Sequence, residues 1–431
     1  MPIRLEIWPF RLRPLERKAY GVYFRFPPEE SEWPTIEGQL DDIRAHGGSM
    51  LKCPFGVRYE RDGSRIRASV ERLRRALRLL RQHGFRGPLP VSSGSDQVAR
   101  LLQYDPVDDY DDPKARARFF ATVRDGMQHL ERLAKEFPEF ELLPTHMDEV
   151  FGRHRLDRYI RLTEAVQKAS SLRIYITLHN TPRPDIPEMM VRCDPYVDVR
   201  CYNGHAMDEW IRAGHSFEEL ARALNRSGDE AWVYYNIRGS FFKAEWTRLV
   251  NGFYLWISPL RAHVPWMYHS THGNPVDDTD GPRLRGHDFV YAVPDPRHPE
   301  QLISTRHWEA FREGFDDMRY LATLEHLIEK RGDSPTAHAA RAWLERLRSK
   351  LRPDPKKLRQ VEGESPILQT WAELFDGPDY RRFRREAAGW IVQLSGAAKE
   401  TVVFPRPRSS QAVLGALRNK NQEEHPCDGD C

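Results

Sequence analysis

Phe140-Glu141-Leu142-Leu143-Pro144-Thr145-His146-Met147-Asp148-Glu149 is an apolar run that closes on two adjacent carboxylates. Pro138 and Gly152 bound it and a helical pattern follows, so it reads as a buried strand feeding a crossover helix. The carboxylates then stand at the C-terminal end of a parallel strand. That end is where α/β folds, and eight-stranded barrels above all, place their chemistry, because loops there vary over a rigid scaffold.

Outward from this stretch the same unit repeats. Upstream, a helix over 113–135 carries Phe119, Val123, Met127 and Leu130 on one stripe. It is preceded by strands over 20–24, 50–53 and 89–91, with helices over 36–46 and 70–82 between them. Downstream, a helix over 156–169 leads to the clearest β run, 172–179. Strands over 196–202, 231–235 and 252–257 follow, alternating with helices that include 217–224 and 241–250. Eight strands alternating with helices in about 240 residues predict a (β/α)8 TIM barrel, whose typical size is ~250 residues. A doubly wound open sheet is the alternative.

The rest divides around the barrel. Residues 1–17 read as a remnant N-terminal strand and linker, 18–332 as the barrel, 333–400 as a C-terminal helical extension, and 401–431 as a disordered tail. A long aromatic, Asp/Gly/Pro-rich insertion at 258–304, with Trp266 in it, is placed to cover the barrel mouth. A strong helix over 306–330 follows.

Composition excludes several classes. The 66 Lys and Arg against 63 Asp and Glu give a net charge of +3, which offers no bulk attraction to nucleic acid or membrane. No window approaches the ~18 consecutive apolar residues of a spanning helix, and the N-terminus shows no export signal. Five sparse cysteines without paired zinc-type spacing fit a reducing compartment, so the chain as given predicts a cytoplasmic protein. No Gly-x-Gly-x-x-Gly or phosphate loop follows a strand, and no metal or other cofactor is expected. A metal hydrolase built on His146, Asp148, His179 and His205 lacks compact ligand spacing.

Neighbouring carboxylates raise the cost of ionising each other, which leaves a proton donor beside a fixed negative charge. Glycoside hydrolysis usually sets two carboxylates on different strands. Here the predicted seventh and eighth strands end Tyr234-Tyr235-Asn236 and Trp256-Ile257-Ser258 without an acid, while Asp208 and Glu209 read as solvated or capping. A nucleophile carried by the substrate, the 2-acetamido group of an N-acetylhexosamine, fits such a site. Asp148 would then stabilise the acetamide and Glu149 would act as acid and base. His179, Tyr202, Asn203, Tyr235, Trp256 and Trp266 supply the aromatic faces and polar groups that suit a carbohydrate. His146 reads as a core histidine.

These residues resemble glycoside hydrolase family 123 and its barrel relatives. The resemblance is carried by His146-Met147-Asp148-Glu149, by Gly252-Phe253-Tyr254-Leu255-Trp256, and most specifically by the helix from Ser304-Thr305-Arg306-His307-Trp308 through Asp316-Asp317-Met318-Arg319-Tyr320-Leu321. It covers roughly residues 18 to 330. It implies β-N-acetylgalactosaminidase-type activity by a substrate-assisted retaining mechanism, with Asp148 as acetamide stabiliser, Glu149 as acid/base, and either Tyr202 or Tyr235 bonding the acetamide. Two departures stand out. Val150 replaces the proline that often follows the pair, and the N-terminal β-sandwich of the relatives is reduced to residues 2–15. Either the domain is lost or the chain is a fragment, in which case an export signal could be absent too. The alternatives are a non-catalytic carbohydrate-binding barrel and a glycosidase for a sugar without the acetamido group.

Overall fold

The computed structural model describes residues 7–53, 55–150, 152–178, 186–236, 243–270, 289–295, 297–359, 365–375 and 377–396. Residues 1–6 and the expected tail from 401 onward lie outside these.

Eight parallel strands form a ring: β1 Ala19–Tyr23, β2 Met50–Lys52, β3 Gly87–Ser92, β4 Phe140–Thr145, β5 Tyr175–Leu178, β6 Val199–Asn203, β7 Glu230–Tyr234 and β8 Ala262–His263. Six of them pair in the order β2-β1-β8-β7-β6-β5, and β3 pairs with β4. Pairing of β1 with β8 joins the first strand to the last, with Ala19 opposite Ala262. At the two remaining seams, backbone beyond a strand end makes the bond. Val57 N–H donates to Ser92 O (2.9 Å) across β2/β3, and Val150 N–H donates to Thr177 O (2.9 Å) across β4/β5. The chain is therefore a (β/α)8 barrel. Residues 146–149 leave β4 before its neighbour is regained at Val150.

Alternation along the strands separates two cores. Ala19, Met50, Leu143, Tyr175, Val199, Cys201, Trp232, Tyr234, Ala262 and Val264 fill the barrel. Strand residues of opposite parity, such as Val22, Leu142, Ile176, Tyr202 and Tyr235, pack outward against the helices. Local signals fix those helices. Asp112 caps Pro113–Glu136 by accepting from Lys114 N and Ala115 N, with Pro113 at the first turn. Ser216 and Glu219 form a capping box on Phe217–Ser227, which Gly228 closes at φ 75°. An antiparallel hairpin, Arg58–Asp62 with Arg65–Ser69, was not evident in the sequence.

The eighth strand corrects the sequence reading. Residues 252–257 belong to a helix that runs as α over Ala244–Leu249, π over Val250–Tyr254 and α over Leu255–Ile257. Its second half is buried from Val250 to Trp256, so it shows no amphipathic period, and an apolar run of that length reads equally as strand or helix. Gly252 and Gly314 let this helix cross Arg306–Arg331 closely: a Cβ on Gly314 would lie 2.6 Å from Arg248 O and 2.8 Å from Asn251 Cβ. Lys18 takes up the carbonyls at its end, donating to Leu255 O and Leu260 O (2.6 Å each) and Ser258 O (3.2 Å). Burial pushes the Lys18 pKa down to about 8, against the opposing pull of Glu325.

Helices Pro335–Leu351 and Gly377–Ser395 pack against Arg306–Arg331, and Pro366–Ala372 packs against Ala244–Leu249. The outer core is continuous into them through Leu344, Trp371, Phe383 and Ile391. Asp317, fully buried, accepts from Arg248 and from Arg384 (2.6 Å) and pins the last helix to the barrel. No described helix is long and apolar enough to cross a membrane.

Candidate active site

β4 delivers Asp148 to the C-terminal mouth of the barrel, where it meets side chains from three other strands. Inward parity places Tyr23 on β1, Lys52 on β2 and Thr177 on β5 around the same point. Lys52 Nζ, nearly buried, donates to Asp148 Oδ1 (2.8 Å), to Thr177 Oγ1 (2.9 Å) and to Tyr23 OH. These three acceptors use all three ammonium hydrogens. The Tyr175 ring lies beneath, its centroid 5.3 Å from Nζ.

Asp148 itself is open to solvent. Enclosure disfavours its charge, but the Lys52 ammonium, the hydrogen bonds from Lys52 and Thr177 and the Glu149 backbone N–H outweigh that and hold the carboxyl below the usual carboxylate range. Tyr23 is the reverse case: burial, then the Asp148 charge, push its phenol well above its ordinary value, so it stays protonated. Lys52 Nζ and, at 3.5 Å, Tyr23 OH both bond Oδ1 of Asp148 and fix the carboxylate in place.

Glu149 follows in a left-handed backbone conformation, φ 50°, which costs a non-glycine residue roughly 1 kcal/mol. This turn breaks the strand alternation that would otherwise send the two acids to opposite faces. It sits close enough to Tyr234 that its charge, after burial, is the next largest influence raising that phenol. Val150, at the position where the resembled family often has proline, closes the seam with an N–H that proline lacks.

A cavity of about 300 Å³ opens beside Asp148. Tyr23, Arg25, Lys52, Thr145, Asp148 and Trp266 are among its lining residues. Trp266 reaches it because the true eighth strand ends at His263, three residues upstream. Its backbone N–H donates to Asn236 Oδ1 (3.0 Å), tying the segment after β8 to the one after β7.

The other expected site residues are distributed differently. Asn203 points inward, where its Oδ1 caps Gly204–Arg212 by accepting from His205 N (3.0 Å) and its amide lies against the Tyr234 phenol. Tyr202 packs outward in the outer core, beside the Arg200 guanidinium. Tyr235 also points outward, donating to Asp208 Oδ1 (2.9 Å). Asp208 is buried, which corrects the solvated reading, and burial pushes its carboxyl well above the usual range. Trp256 lies in the outer helical layer, donating from Nε1 to Glu325 (2.9 Å) under the Arg348 guanidinium. His179 lies outside the described residues. His146 is a buried core histidine whose Nδ1 meets Ser93 Oγ (2.9 Å) and Ser95 Oγ (3.1 Å), and burial pushes its pKa down to about 3.

Sequence reasoning missed Lys52, Tyr23, Thr177 and Tyr234. The available signal was phase: Lys52 is two residues from Met50 and Tyr234 two from Trp232, so each shares a face with a barrel-filling residue. Among the described residues no group of three or more His, Cys, Asp or Glu is arranged to hold a metal ion.

No family model matches the sequence, and no curated protein matches it significantly. Solved structures with a loose likeness include the catalytic domain of the GH26 endo-β-1,4-mannanase of Bacillus sp. JAMB-750, at 11% identity and TM-score 0.45 over 70% of this chain and 87% of that one. The β-galactosidase of the psychrophilic Marinomonas ef1 gives 10% identity and TM-score 0.44 over 72% and 60%. The hyperthermophilic β-glucosidase of Pyrococcus furiosus gives 12% and 0.39 over 73% and 99%.

Proposed function

We propose that this protein is a glycoside hydrolase that removes a β-linked N-acetylhexosamine, most simply N-acetylgalactosamine, by a substrate-assisted retaining mechanism of the family 123 type. One observation carries the reading: consecutive carboxylates after the fourth strand, the first fixed and ionised by Lys52, the second in a left-handed backbone with its charge near Tyr234. In sequence, β5, β7 and β8 have no Asp or Glu in the four residues after them, which favours a nucleophile brought by the substrate.

In this mechanism the acetamide carbonyl oxygen attacks C1 as the C1–O glycosidic bond breaks, and Glu149 gives its proton to the leaving oxygen. The Asp148 carboxylate accepts the acetamide N–H and offsets the positive charge that develops on the ring so formed. Glu149, now ionised, takes a proton from water, whose oxygen bonds to C1 and reopens the acetamide with net retention. Lys52, Thr177 and Tyr23 keep Asp148 ionised and immobile throughout. Trp266 offers its face to the sugar's C–H side, and the buried Tyr234 stands behind Glu149, near enough to feel its charge.

The test is chromophore release from β-nitrophenyl glycosides of N-acetylgalactosamine, N-acetylglucosamine, galactose and glucose. Turnover of the acetamido sugars alone, lost in both Glu149→Gln and Asp148→Asn, supports the reading. Turnover of plain hexosides that survives Asp148→Asn refutes it.

A further inference from the structure

Arg25 lines the same cavity and has no role in the chemistry above. It is exposed, and its guanidinium makes no hydrogen bond, ion pair or ring contact among the described residues. Its backbone is nevertheless rigidly held. Phe24 and Phe26 on either side are buried and pack edge to face with centroids 5.3 Å apart, and Phe24 N–H donates to Lys52 O (3.1 Å). Phe26 continues the packing onto Trp33 and Phe55.

The local charge balance points the same way. Arg25 and Lys52 line the cavity together with Asp148. Lys52 is matched by Asp148, and Arg155 Nη2 donates to the Asp148 backbone carbonyl (3.0 Å). Among the described lining residues, Arg25 and Lys52 against Asp148 leave one net positive charge. A guanidinium on a fixed backbone, open to solvent at a cavity edge, presents a planar fork of donors that matches the oxyanions of sulfate, phosphate or carboxylate.

Resting on the sugar-site reading above, we infer that Arg25 forms a subsite for an anionic substituent, so that the preferred substrate is a sulfated or phosphorylated N-acetylhexosamine and not the neutral sugar. Arg25 determines specificity here and takes no part in bond breaking. The two anion sources share this chemistry and separate by experiment.

Binding can be read without turnover. Calorimetry on the full chain would compare N-acetylgalactosamine with its 6-sulfate and its 6-phosphate, in wild type, Arg25→Ala and Arg25→Lys, at low and high salt. The expected result is roughly tenfold tighter binding of one anionic sugar than of the neutral one. That ratio should collapse toward one in Arg25→Ala, recover in part in Arg25→Lys, and shrink with salt. The stronger of the two anionic ligands identifies the source. Equal affinities in wild type, an advantage that survives Arg25→Ala, or no binding of any anionic sugar would overturn the inference. Galactose and galactose 6-sulfate run alongside keep the two readings apart: the same Arg25-dependent ratio without any acetamido preference would retain the subsite and remove the N-acetylhexosamine assignment.

Discussion

Lys52 Nζ stands 2.8 Å from Asp148 Oδ1, joining the second barrel strand to the end of the fourth. The lysine is nearly buried and the aspartate is open, so the pair acts as a bracket: a cation inside the barrel holding a carboxylate at its mouth. Pairs with one buried partner are held in place more firmly than the exposed surface pairs that contribute little.

Lys52→Met removes the bracket while filling much of its volume. We expect kcat on an N-acetylhexosaminide to fall roughly 100-fold, with KM changing much less, because an unheld Asp148 no longer meets the developing charge. Circular dichroism should show the fold intact. Unchanged kcat would mean that Asp148 needs no partner.

The same contact sets a pH dependence. Asp148 has its folded pKa below its ordinary value of 3.8, so its contribution to stability is present above the unfolded value and is lost as pH falls through the folded one. Its ionisation therefore limits activity only below about pH 4, and in Lys52→Met that acid limb should move upward. Initial rates from pH 3 to 7 on both proteins check this.

Tyr234 and Tyr235 are adjacent in sequence but face opposite sides of β7. Tyr234→Phe should lower kcat/KM with little effect on melting. Tyr235→Phe should leave turnover nearly unchanged and cost about 1–3 kcal/mol, since it strips the buried Asp208 of its hydrogen bond. Kinetics and thermal melts of the two variants, side by side, would show the opposite pattern if the outward tyrosine served the site.

Gly314→Ala tests the crossing of the helix over 244–257 with Arg306–Arg331. The added methyl must displace Arg248 O or Asn251, and we expect roughly 1–3 kcal/mol of destabilisation in a denaturant titration. A strand at 252–257 would give no reason for such a cost.

How much of this was legible beforehand follows from where each signal came from. The barrel was readable because seven of its strands carry β-rich runs between turn residues, although the strand read over 140–149 stops at Thr145 and the two carboxylates follow it on the loop. The eighth strand was not. Ala262-His263 is too short to give a periodic signal, while the buried aromatic helix before it imitates one. That single substitution moved Trp256 away from the site and put Trp266 directly after β8. Asp148 and Glu149 were recognisable as a pair, yet the sequence held no indication of the left-handed turn, φ 50°, at Glu149. Lys52 was overlooked because a lysine ending a strand normally reads as solvent-facing. Only the parity shared with Met50 places it inside.

The most direct test of the central claim uses a galacto-configured thiazoline, a stable mimic of the ring formed when the acetamide attacks C1. The account predicts competitive inhibition of the wild-type protein well below the substrate KM, and calorimetric binding of the thiazoline weakened at least about 100-fold in Asp148→Asn, whose amide cannot match the cation the mimic resembles. Full wild-type turnover in the presence of excess thiazoline, or equal thiazoline affinity of both proteins, would contradict it.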